Sequence, residues 1–442
     1  MNPVEIIARK RDGAELTAEE IGFFVRGITE GCIADYQASA WLMAVYLQGM
    51  TARETRDLTL AMRDSGAKID LSDVKDGPAL DKHSTGGVGD KTTLIVVPIL
   101  AALGVRMLKM SGRGLGFSGG TVDKLESIPG FRTELSVAEA KAQVARIGAA
   151  LIAQSKELAP ADGILYALRD VTATVASIPL IASSIMSKKL AAGAGRIVLD
   201  VKAGRGSFMK TREQAEALAR TLVTIGEGAG VPTSAVLTAM DEPLGRMVGN
   251  ALEVREALSV LRNDPESEPL LRALCVELAG HGLLAVGKAT TLEEGSAQAE
   301  RALASGRAAA KFAEIVAAQG GPDRCAAILA ALPQAPERIE VSSDREGVVA
   351  GLDAEAIGRL AMAMGAGREK KGGLIDPAVG IALRAKTGDR IAMGGFLATL
   401  HLKAEDVVRV EDFAAALRAA YRIVSPSEAS PPPSSLILGS IP

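Results

Sequence analysis

The amino-acid sequence predicts an α/β protein with a discontinuous helical domain and a C-terminal α+β lobe. The first 65 residues carry helical periodicity, the chain then alternates short apolar strands with helices, and it becomes rich in strands from about Arg338. Such alternation is typical of layered α/β domains. With 442 residues and a hydrophobic fraction of 48%, the chain is long enough for two or three packed domains.

The helical domain is predicted from two separate segments. Capping-box patterns at Thr17 and Thr51, each with Glu three residues later, mark the starts of two helices, and Asp35 is expected to cap another helix between them. Residues 158–193 also carry helical sequence without a clear strand. We therefore expect residues 1–65 and 158–193 to form one domain.

The α/β domain is predicted over residues 66–157 and 194–335. Short apolar runs favour strands, and longer runs that follow a capping residue favour helices. The predicted strands are Leu80–His83, Val105–Met110, Ile197–Val201 and Val236–Thr238, and the predicted helices are Thr92–Leu103 and one that begins at Thr211.

The C-terminal lobe is predicted over residues 336–424. Strands are expected near Ile339 and over Gly347–Leu352, and the run from Gly388 to Ala398 has residues typical of a hairpin. Residues 425–442 contain three consecutive prolines, Pro431–Pro433, and are predicted to form a flexible tail.

Composition and charge exclude several functions. A net charge of -3 and a pI of about 5.9 argue against general nucleic-acid binding. Cys32, Cys275 and Cys325 lack the spacing of a zinc site or a disulfide framework, which indicates a reducing compartment. The N-terminus does not resemble a signal peptide, and the most apolar run, residues 92–105, is too short to span a membrane. We expect a cytoplasmic protein.

The most informative stretch, Asp81–Glu126, contains two loops rich in Gly, Ser and Thr, each with Lys or Arg. In the first loop, Lys82, His83 and Ser84 precede a glycine-rich turn that leads into a helix near Thr92. Small residues let backbone N–H groups approach an anion, and a helix N-terminus adds further donors. The pattern is neither a Walker A loop nor a dinucleotide-binding fingerprint.

The second loop runs from Lys109 to Gly114 and continues to Thr121. Ser111 and Thr121 can donate to the same anion, whereas Asp123 and Glu126 would repel it and are expected to pair with basic neighbours. For the glycines alone, a flexible linker with a helix cap is the simpler interpretation. The hydroxyls and cations of both loops together favour an anion site.

Four segments resemble the pyrimidine-nucleoside phosphorylases, the family that includes thymidine phosphorylase. They are SGRGLGFSGGTVDKLESIPGF from Ser111, LYALRDVTATV from Leu165, SIPLIASSIMSKKLAAG from Ser177 and DVKAGRGSFMKT from Asp200. The resemblance implies a multi-domain nucleoside phosphorylase fold, with the active site in a cleft between the helical and α/β domains. It also implies reversible phosphorolysis of pyrimidine nucleosides, with inorganic phosphate as co-substrate, no organic cofactor, no metal, and a homodimer.

The resemblance also implies roles for individual residues. Phosphate contacts carry over to Lys82, Ser84, Thr93, Ser111 and Thr121. Catalytic roles carry over to His83, Arg169 and Lys188, with His83 as general acid between phosphate and base. Substrate contacts carry over to Lys109, Leu115, Arg169, Val175, Ile181, Ser184, Lys188 and Phe208.

The chain departs from the family pattern at several positions. Phe117 replaces a histidine, and Arg205 replaces a small or acidic residue and could pair with an acidic neighbour. Lys91 stands where broad-specificity members often have Thr beside a monovalent-cation site, so its ammonium could replace the cation and pair with Glu256. Lys109 resembles the broad-specificity branch, and we expect thymidine, deoxyuridine and uridine to be used.

Three alternative functions stay open: a thymidine-restricted phosphorylase, an anthranilate-type phosphoribosyltransferase that uses Mg²⁺, and a silent nucleoside- or phosphate-binding protein. Taken singly, Arg169 could simply pair with Asp170 or Asp162, and Lys188 could lie on a solvated helix face. No role is predicted for His281 and His401.

Overall fold

The computed structural model describes residues 1–72, 77–114, 116–155, 157–368, 370, 372–429 and 433–442. Leu115, predicted to line the substrate pocket, and Pro431 of the predicted tail lie outside the described residues. No helix in the described ranges is long and apolar enough to cross a membrane.

The helices are α1 (Pro3–Arg11), α2 (Ala18–Thr29), α3 (Asp35–Gln48), α4 (Ala52–Arg63), α5 (Thr92–Ala102), α6 (Thr121–Glu126), α7 (Val137–Ile147), α8 (Pro160–Val171), α9 (Ile178–Ala191), α10 (Arg212–Gly228), α11 (Asn250–Leu261), α12 (Pro269–Ala285), α13 (Leu292–Ala304), α14 (Arg307–Ala318), α15 (Cys325–Ala331), α16 (Ala354–Ala363) and α17 (Val410–Ala420), with a 3₁₀ helix at Ala404–Arg409. The strands are β1 (Leu80–Ser84), β2 (Met107–Ser111), β3 (Ala149–Ala153), β4 (Arg196–Ala203), β5 (Thr233–Ala239), β6 (Met247–Val248), β7 (Glu337–Ser342), β8 (Gly347–Leu352), β9 (Gly380–Leu383), β10 (Arg390–Ile391), β11 (Phe396–Leu402), β12 (Tyr421–Val424) and β13 (Ile437–Ile441).

The N-terminal helices form a bundle that begins where the capping residues predict. Thr17 and Thr51 each accept a hydrogen bond at 3.2 Å from the N–H of the glutamate three residues later. Asp35 is the first residue of α3 and not its cap, because the extended residue before the helix is Ala34. One apolar core joins α2 and α3 to α8 and α9, with Phe24 stacked on Trp41 at a centroid distance of 4.9 Å.

The central sheet is parallel over β1, β4 and β5, in the order β1-β4-β5-β13. A second parallel pair, β2 and β3, lies beside it, and the Leu80 N–H donates to the Arg106 carbonyl at 2.8 Å. Helices α5 and α12 contact each other beneath this sheet and bury the largest apolar core. Three predicted strands, which correspond to β1, β2 and β4, and the Thr92 helix are confirmed to within two residues, and the helix after Thr211 starts as predicted. The strand predicted at Val236–Thr238 is also present but begins three residues earlier, at Thr233.

The flexible tail predicted over residues 425–442 is wrong for its last part. Residues Ile437–Ile441 form β13, which pairs antiparallel with β5 and brings Ser440 opposite Val236. Leu438 and Ile441 pack half-buried against the core of β4 and α10. The prolines dominated the prediction, whereas the apolar residues that follow them supply a strand.

The C-terminal lobe contains two antiparallel sheets, ordered β10-β8-β12 and β6-β9-β11-β7. The hairpin predicted from Gly388 to Ala398 is wrong, because β10 pairs with β8 while β11 pairs with β7 and β9. The turn residues between β10 and β11 therefore carry the chain from one sheet to the other.

Three passages of chain connect the helical bundle to the α/β domain, and they run side by side. The Ala67 N–H donates to the Glu157 carbonyl, and the Ile69 N–H donates to the Ala191 carbonyl, both at 2.8 Å. A side chain at Gly66 would overlap the Glu157 carbonyl, and one at Gly193 would overlap that of Ile69. Glycine at these positions permits the close approach of the passages.

Candidate active site

Strand β1 ends at the first predicted loop and delivers Lys82, His83 and Ser84 to it. The loop lies at the carboxyl end of a parallel strand, which is where open α/β sheets bind ligands. Helix α5 begins at Thr92, and both Thr92 and Thr93 are buried. The sequence therefore places a helix N-terminus directly behind the predicted anion site.

Lys82 is fully buried and bonded to protein groups. Its Nζ donates to Thr92 Oγ1 at 2.6 Å and to Asp200 Oδ2 at 3.0 Å. Asp200, in β4, also pairs with Lys202 at 2.9 Å. Burial alone would raise the pKa of Asp200, yet Lys202 and Lys82 hold it below its ordinary value. An ammonium has three N–H donors, and the contacts with Thr92 and Asp200 use two of them.

Ser84 donates a short hydrogen bond to Asp90 in the same loop. Asp90 also accepts from the Thr92 hydroxyl at 2.7 Å and from the Thr92 N–H at 3.1 Å. Burial would raise the pKa of Asp90, but Lys202 and Lys82 hold it far below its ordinary range. Asp90 thus organises the loop, and Ser84 must rotate to donate to an anion.

Ser111, at the end of β2, has the hydrogen-bonding capacity that an anion site needs. Its Oγ is buried and has no hydrogen-bond partner within the described ranges. Thr121 begins α6 and is half-buried. As predicted, Asp123 and Glu126 are structural, since Asp123 pairs with Arg368 at 2.8 Å and Glu126 pairs with Arg113. A buried unpaired hydroxyl is costly, so Ser111 favours an incoming acceptor.

Lys109 is buried beneath the second loop, where it shares a carboxylate with Lys189. The Asp81 oxygens lie 3.3 Å from Lys109 Nζ and 3.0 Å from Lys189 Nζ. Burial lowers the pKa of Lys109 well below its ordinary value, although Asp81 opposes the shift. Lys189 also donates to the Met110 carbonyl at 3.0 Å. Lys189 therefore connects α9 to the strands β1 and β2.

Lys188, the neighbour of Lys189, points to the helical side. Its Nζ pairs with Asp162 at 2.5 Å and donates to Ser184 Oγ at 3.0 Å. The second carboxylate oxygen of Asp162 is buried with no hydrogen-bond partner in the part of the chain that the structure describes. The solvated-face alternative for Lys188 is wrong, because only 20% of its side chain is exposed.

Arg169 holds the loop that follows α8. Its guanidinium donates to the carbonyls of Val175 at 2.7 Å, Leu180 at 3.0 Å and Thr174 at 3.4 Å. Burial lowers its pKa. The predicted alternative of a direct salt bridge to Asp170 or Asp162 does not occur. Arg169 instead fixes Val175 and the start of α9, where Ile181 is half-buried.

His83 lies between the two groups of cations. Burial lowers its pKa well below the ordinary value, and Lys189, Lys109, Lys82 and Lys188 lower it further. His83 is therefore neutral near pH 7, and its imidazole can donate one hydrogen bond. The effect of Lys188 means that the structure brings the helical side and the phosphate loops into electrostatic range of one imidazole.

Phe208 lies half-exposed in the loop between β4 and α10. Its ring centroid is 6.4 Å from that of Phe117, and Lys210 Nζ lies 5.0 Å from the Phe117 centroid. As anticipated, Arg205 pairs with an acidic neighbour, Asp353, at 3.3 Å. This pair connects the loop between β4 and α10 to the C-terminal lobe.

Known families match along most of the chain. Residues 4–66 match the helical bundle domain of a glycosyl transferase family, and residues 76–309 match its a/b domain. Residues 348–424 match the pyrimidine nucleoside phosphorylase C-terminal domain. The pyrimidine-nucleoside phosphorylase of Bacillus subtilis is 51% identical over 93% of this chain and 94% of its own. The chain belongs to the pyrimidine-nucleoside phosphorylase family.

A second relative supports the family, and one solved structure supports the fold. The pyrimidine-nucleoside phosphorylase of Staphylococcus aureus is 48% identical over 97% of this chain and 98% of its own. Anthranilate phosphoribosyltransferase from Thermus thermophilus matches in structure with a TM-score of 0.57 at 22% identity, over 71% of this chain and 99% of its own. At that identity the likeness shows the fold alone.

Lys91 departs from the expected family pattern and is completely enclosed. Its Nζ donates to the carbonyls of Leu244 at 2.9 Å and Met247 at 2.8 Å, and it pairs with Glu256 as anticipated. Glu256 also accepts from the N–H groups of Arg246 at 2.6 Å and Met247 at 3.0 Å. A fixed positive charge thus occupies a site made of carbonyls and one carboxylate.

Sequence reasoning missed the carboxylates that hold the cleft lysines. Asp81, Asp162 and Asp200 are each buried and paired with at least one lysine. A signal was present for Asp200, since a charge inside an apolar parallel strand requires a partner. Asp162 and Arg169 are seven residues apart on α8, so helical periodicity alone places both on one face.

Proposed function

We propose that this protein catalyses the reversible phosphorolysis of pyrimidine nucleosides, which yields a free pyrimidine and an α-pentose 1-phosphate. The observation that carries the proposal is the position of His83, which lies within electrostatic range of Lys82 and Lys109 from β1 and β2 and of Lys188 from α9. A reaction that joins an anionic nucleophile to a leaving base needs such opposed groups around one centre.

The phosphate side supplies donors without a strong excess of charge. Phosphate is itself the nucleophile, so the protein must position it and strip its water rather than activate a side chain. Ser111 offers an unpaired buried hydroxyl, and Lys82 offers its remaining N–H beside the start of α5. Thr121, Thr93 and a rotated Ser84 complete the proposed set.

The base side stabilises charge that develops on the departing pyrimidine. Lys188 and Ser184 are hydrogen-bonded to each other and present an ammonium and a hydroxyl to the ring oxygens and ring edge. Arg169 keeps the adjoining loop, with Val175, in place. His83 donates a hydrogen bond to the base oxygen from its neutral form, and a bound phosphate dianion would raise its pKa toward proton transfer.

The substrate range is proposed to include thymidine, deoxyuridine and uridine. Lys109 supports the inclusion of uridine, because it follows the broad-specificity pattern and its ammonium is held at the end of β2 by Asp81. Ile181 and Phe208 would line the base and sugar pocket.

The decisive experiment measures free base released from thymidine and from uridine, with and without phosphate, in metal-free buffer. Phosphate-dependent release from both is expected, and His83→Ala should lower kcat far more than it weakens phosphate binding. Release from thymidine alone would contradict the substrate range. Turnover only with diphosphate-activated ribose and Mg²⁺ would identify a phosphoribosyltransferase, and binding with no turnover would identify a silent binder.

We further propose that the enzyme needs neither an organic cofactor nor a monovalent cation. The Lys91 ammonium already neutralises Glu256 and satisfies two carbonyls. Phosphorolysis rates should be equal in sodium and potassium buffers at matched ionic strength. Stimulation by potassium would overturn this part of the proposal.

A homodimer through the helical domain is also proposed. Helix α3 exposes Tyr36, Met43 and Leu47 at spacings of seven and four residues, so one helix face carries uncovered apolar surface. The substitution Leu47→Glu should convert a dimer to a monomer in light scattering after gel filtration. The three free cysteines, Cys32, Cys275 and Cys325, support a cytoplasmic location.

A further inference from the structure

A second cavity, of about 490 Å³, lies between the C-terminal lobe and the segment that leads into α11. We call it the arginine pocket, since Arg246, Arg338 and Arg384 line it together with Thr399 and His401. None of these residues belongs to the cleft described above. The lining comes from five distant parts of the sequence, four of which lie at or beside β6, β7, β9 and β11.

The arginines of this pocket lack carboxylate partners at close range. Arg338 donates only to the amide of Gln334, at 2.5 Å, and neither Arg384 nor the adjacent Arg255 has an ion pair among the residues described. Arg246 is 4.0 Å from Asp389 and donates to the Arg384 carbonyl. Arg338 and Arg384 are exposed, and Arg246 and Arg255 are half-buried. Together these side chains give the pocket a local excess of positive charge.

Two further side chains in the pocket, His401 and Thr399, are also affected by its shortage of negative charge and of hydrogen-bond acceptors. Burial lowers the pKa of His401, and the charges of Arg338, Arg255 and Arg384 add to the shift, which brings the pKa to about 4. Thr399 is 93% buried, and its Oγ1 has no hydrogen-bond partner within the described part of the chain. An unpaired buried hydroxyl beside unpaired arginines is a combination that an anionic ligand would satisfy.

The remaining lining is not what a bare inorganic anion requires. Met247, Ala382 and Leu383 present apolar surface, and Glu266 adds a carboxylate at the rim. A carboxylate repels phosphate but accepts hydrogen bonds from a hydroxyl or amino group. The volume is within the range that suits an organic ligand of nucleotide size.

We propose that the arginine pocket binds a nucleotide, with its phosphates on Arg338, Arg384 and Thr399 and its base on Met247 and Leu383. Glu266 would accept a hydrogen bond from the sugar or the base. The pocket shares a wall with the Lys91 site, because Arg246 and Met247 donate to Glu256. It shares no residue with the proposed nucleoside and phosphate contacts, so both sites can be filled together.

The test is calorimetric titration of the full chain with ADP, in low salt and with saturating inorganic phosphate to fill the cleft. Adenine is not a pyrimidine, so ADP is a poor competitor for the nucleoside site. The double variant Arg338→Ala/Arg384→Ala should bind ADP at least tenfold more weakly and should retain phosphorolysis, which shows that it is folded. Arg345→Ala, a matched loss of an exposed arginine in the same lobe, should bind normally.

A cleft variant separates the two sites. Ser111→Ala should bind ADP as tightly as the unaltered chain while its phosphorolysis falls. Loss of ADP binding in Ser111→Ala but not in the double variant would overturn the proposal. Failure of ADP, GDP and UDP to bind at millimolar concentration, or equal binding of inorganic tripolyphosphate to the pocket, would also overturn it. Failure of the phosphorolysis assay alone would leave the pocket result intact.

Discussion

The candidate active site and the arginine pocket both gather basic side chains, but they differ in how closely carboxylates pair with these cations. Lys82, Lys109 and Lys188 pair with Asp200, Asp81 and Asp162, respectively. In the described residues, Arg338 and Arg384 have no such partner. Pairing fixes a lysine in position and lowers the net charge of the site, whereas unpaired arginines leave a positive potential that a ligand must neutralise. The comparison indicates a pre-organised reaction site and an open binding site.

The largest expected effect comes from removing a cleft carboxylate. Asp200→Asn leaves Lys82 and Lys202 buried without their counter-charge, and we expect the free energy of unfolding to fall by about 3–5 kcal/mol. Urea denaturation measures this. Asp353→Asn, which breaks the exposed pair with Arg205, is the control and should cost less than about 1 kcal/mol. Equal losses of unfolding free energy in the two variants would show that the buried pairs of the candidate active site hold their lysines no more strongly than an exposed pair does.

A second, smaller effect should appear in catalysis. Asp162→Asn keeps the shape of the side chain but weakens the hold on Lys188, so we expect kcat/KM for thymidine to fall about 10–100-fold. The KM for phosphate should stay unchanged, because Asp162 lies on the base side. A purely structural role would instead lower the melting temperature without separating the two substrates. Asp170→Asn, on the same helix, is the control.

The pH dependence of the free energy of unfolding tests the comparison through His401. The pKa of His401 is about 4 in the folded protein, below the ordinary value near 6.5 of an unfolded chain. Between these values the unfolded state binds a proton that the folded state does not, so stability falls as pH falls below about 6.5. After allowance for screening, we expect His401 to account for about 1 kcal/mol between pH 7 and 5.5.

His401→Gln should therefore flatten the pH dependence of the free energy of unfolding over this range. Identical curves for the variant and the unaltered chain would show that the pKa of His401 is not lowered in the folded protein. Bound ADP should reduce the same slope, because a nearby anion raises the pKa of an imidazole.

The smallest expected effect is on the pocket arginines themselves. Arg384→Ala removes a cation that has no ion pair, so the free energy of unfolding should change by less than about 0.5 kcal/mol or rise slightly through reduced repulsion. Thermal melts at low ionic strength measure this change in stability, and Arg345→Ala is the control variant. A loss above about 1 kcal/mol would reveal a partner that the pocket geometry does not show.

Much of the α/β domain is predictable from the sequence because its signals are local. Strand β4 contains the apolar run Ile197–Leu199, and α5 follows a glycine turn, so both are found within two residues. Strand β13 was missed because prolines outweighed the apolar residues after them. The hairpin prediction failed because turn chemistry shows where a chain bends but not which strand it next pairs with.

The candidate site also has one part that the sequence predicts and another part that it does not. The loops with Lys82, Ser84 and Ser111 are visible in the sequence, since glycines, hydroxyls and cations lie together. Their carboxylate partners are not, because Lys82 and Asp200 are 118 residues apart. The arginine pocket leaves no local pattern at all, since its arginines come from separate strands and loops. Buried charge pairs and pockets lined by distant parts of the chain form only in the folded protein. The hydrophobic periodicity of the sequence therefore does not predict them.

The three passages between the helical bundle and the α/β domain have a mechanical consequence. Ala67 is bonded to Glu157 and Ile69 to Ala191, so the passages form one narrow pivot and not three independent tethers. Sliding of one wall past the other would break these bonds, whereas a rotation about the pivot would preserve them. These bonds therefore favour rotation of the helical bundle against the α/β domain over sliding.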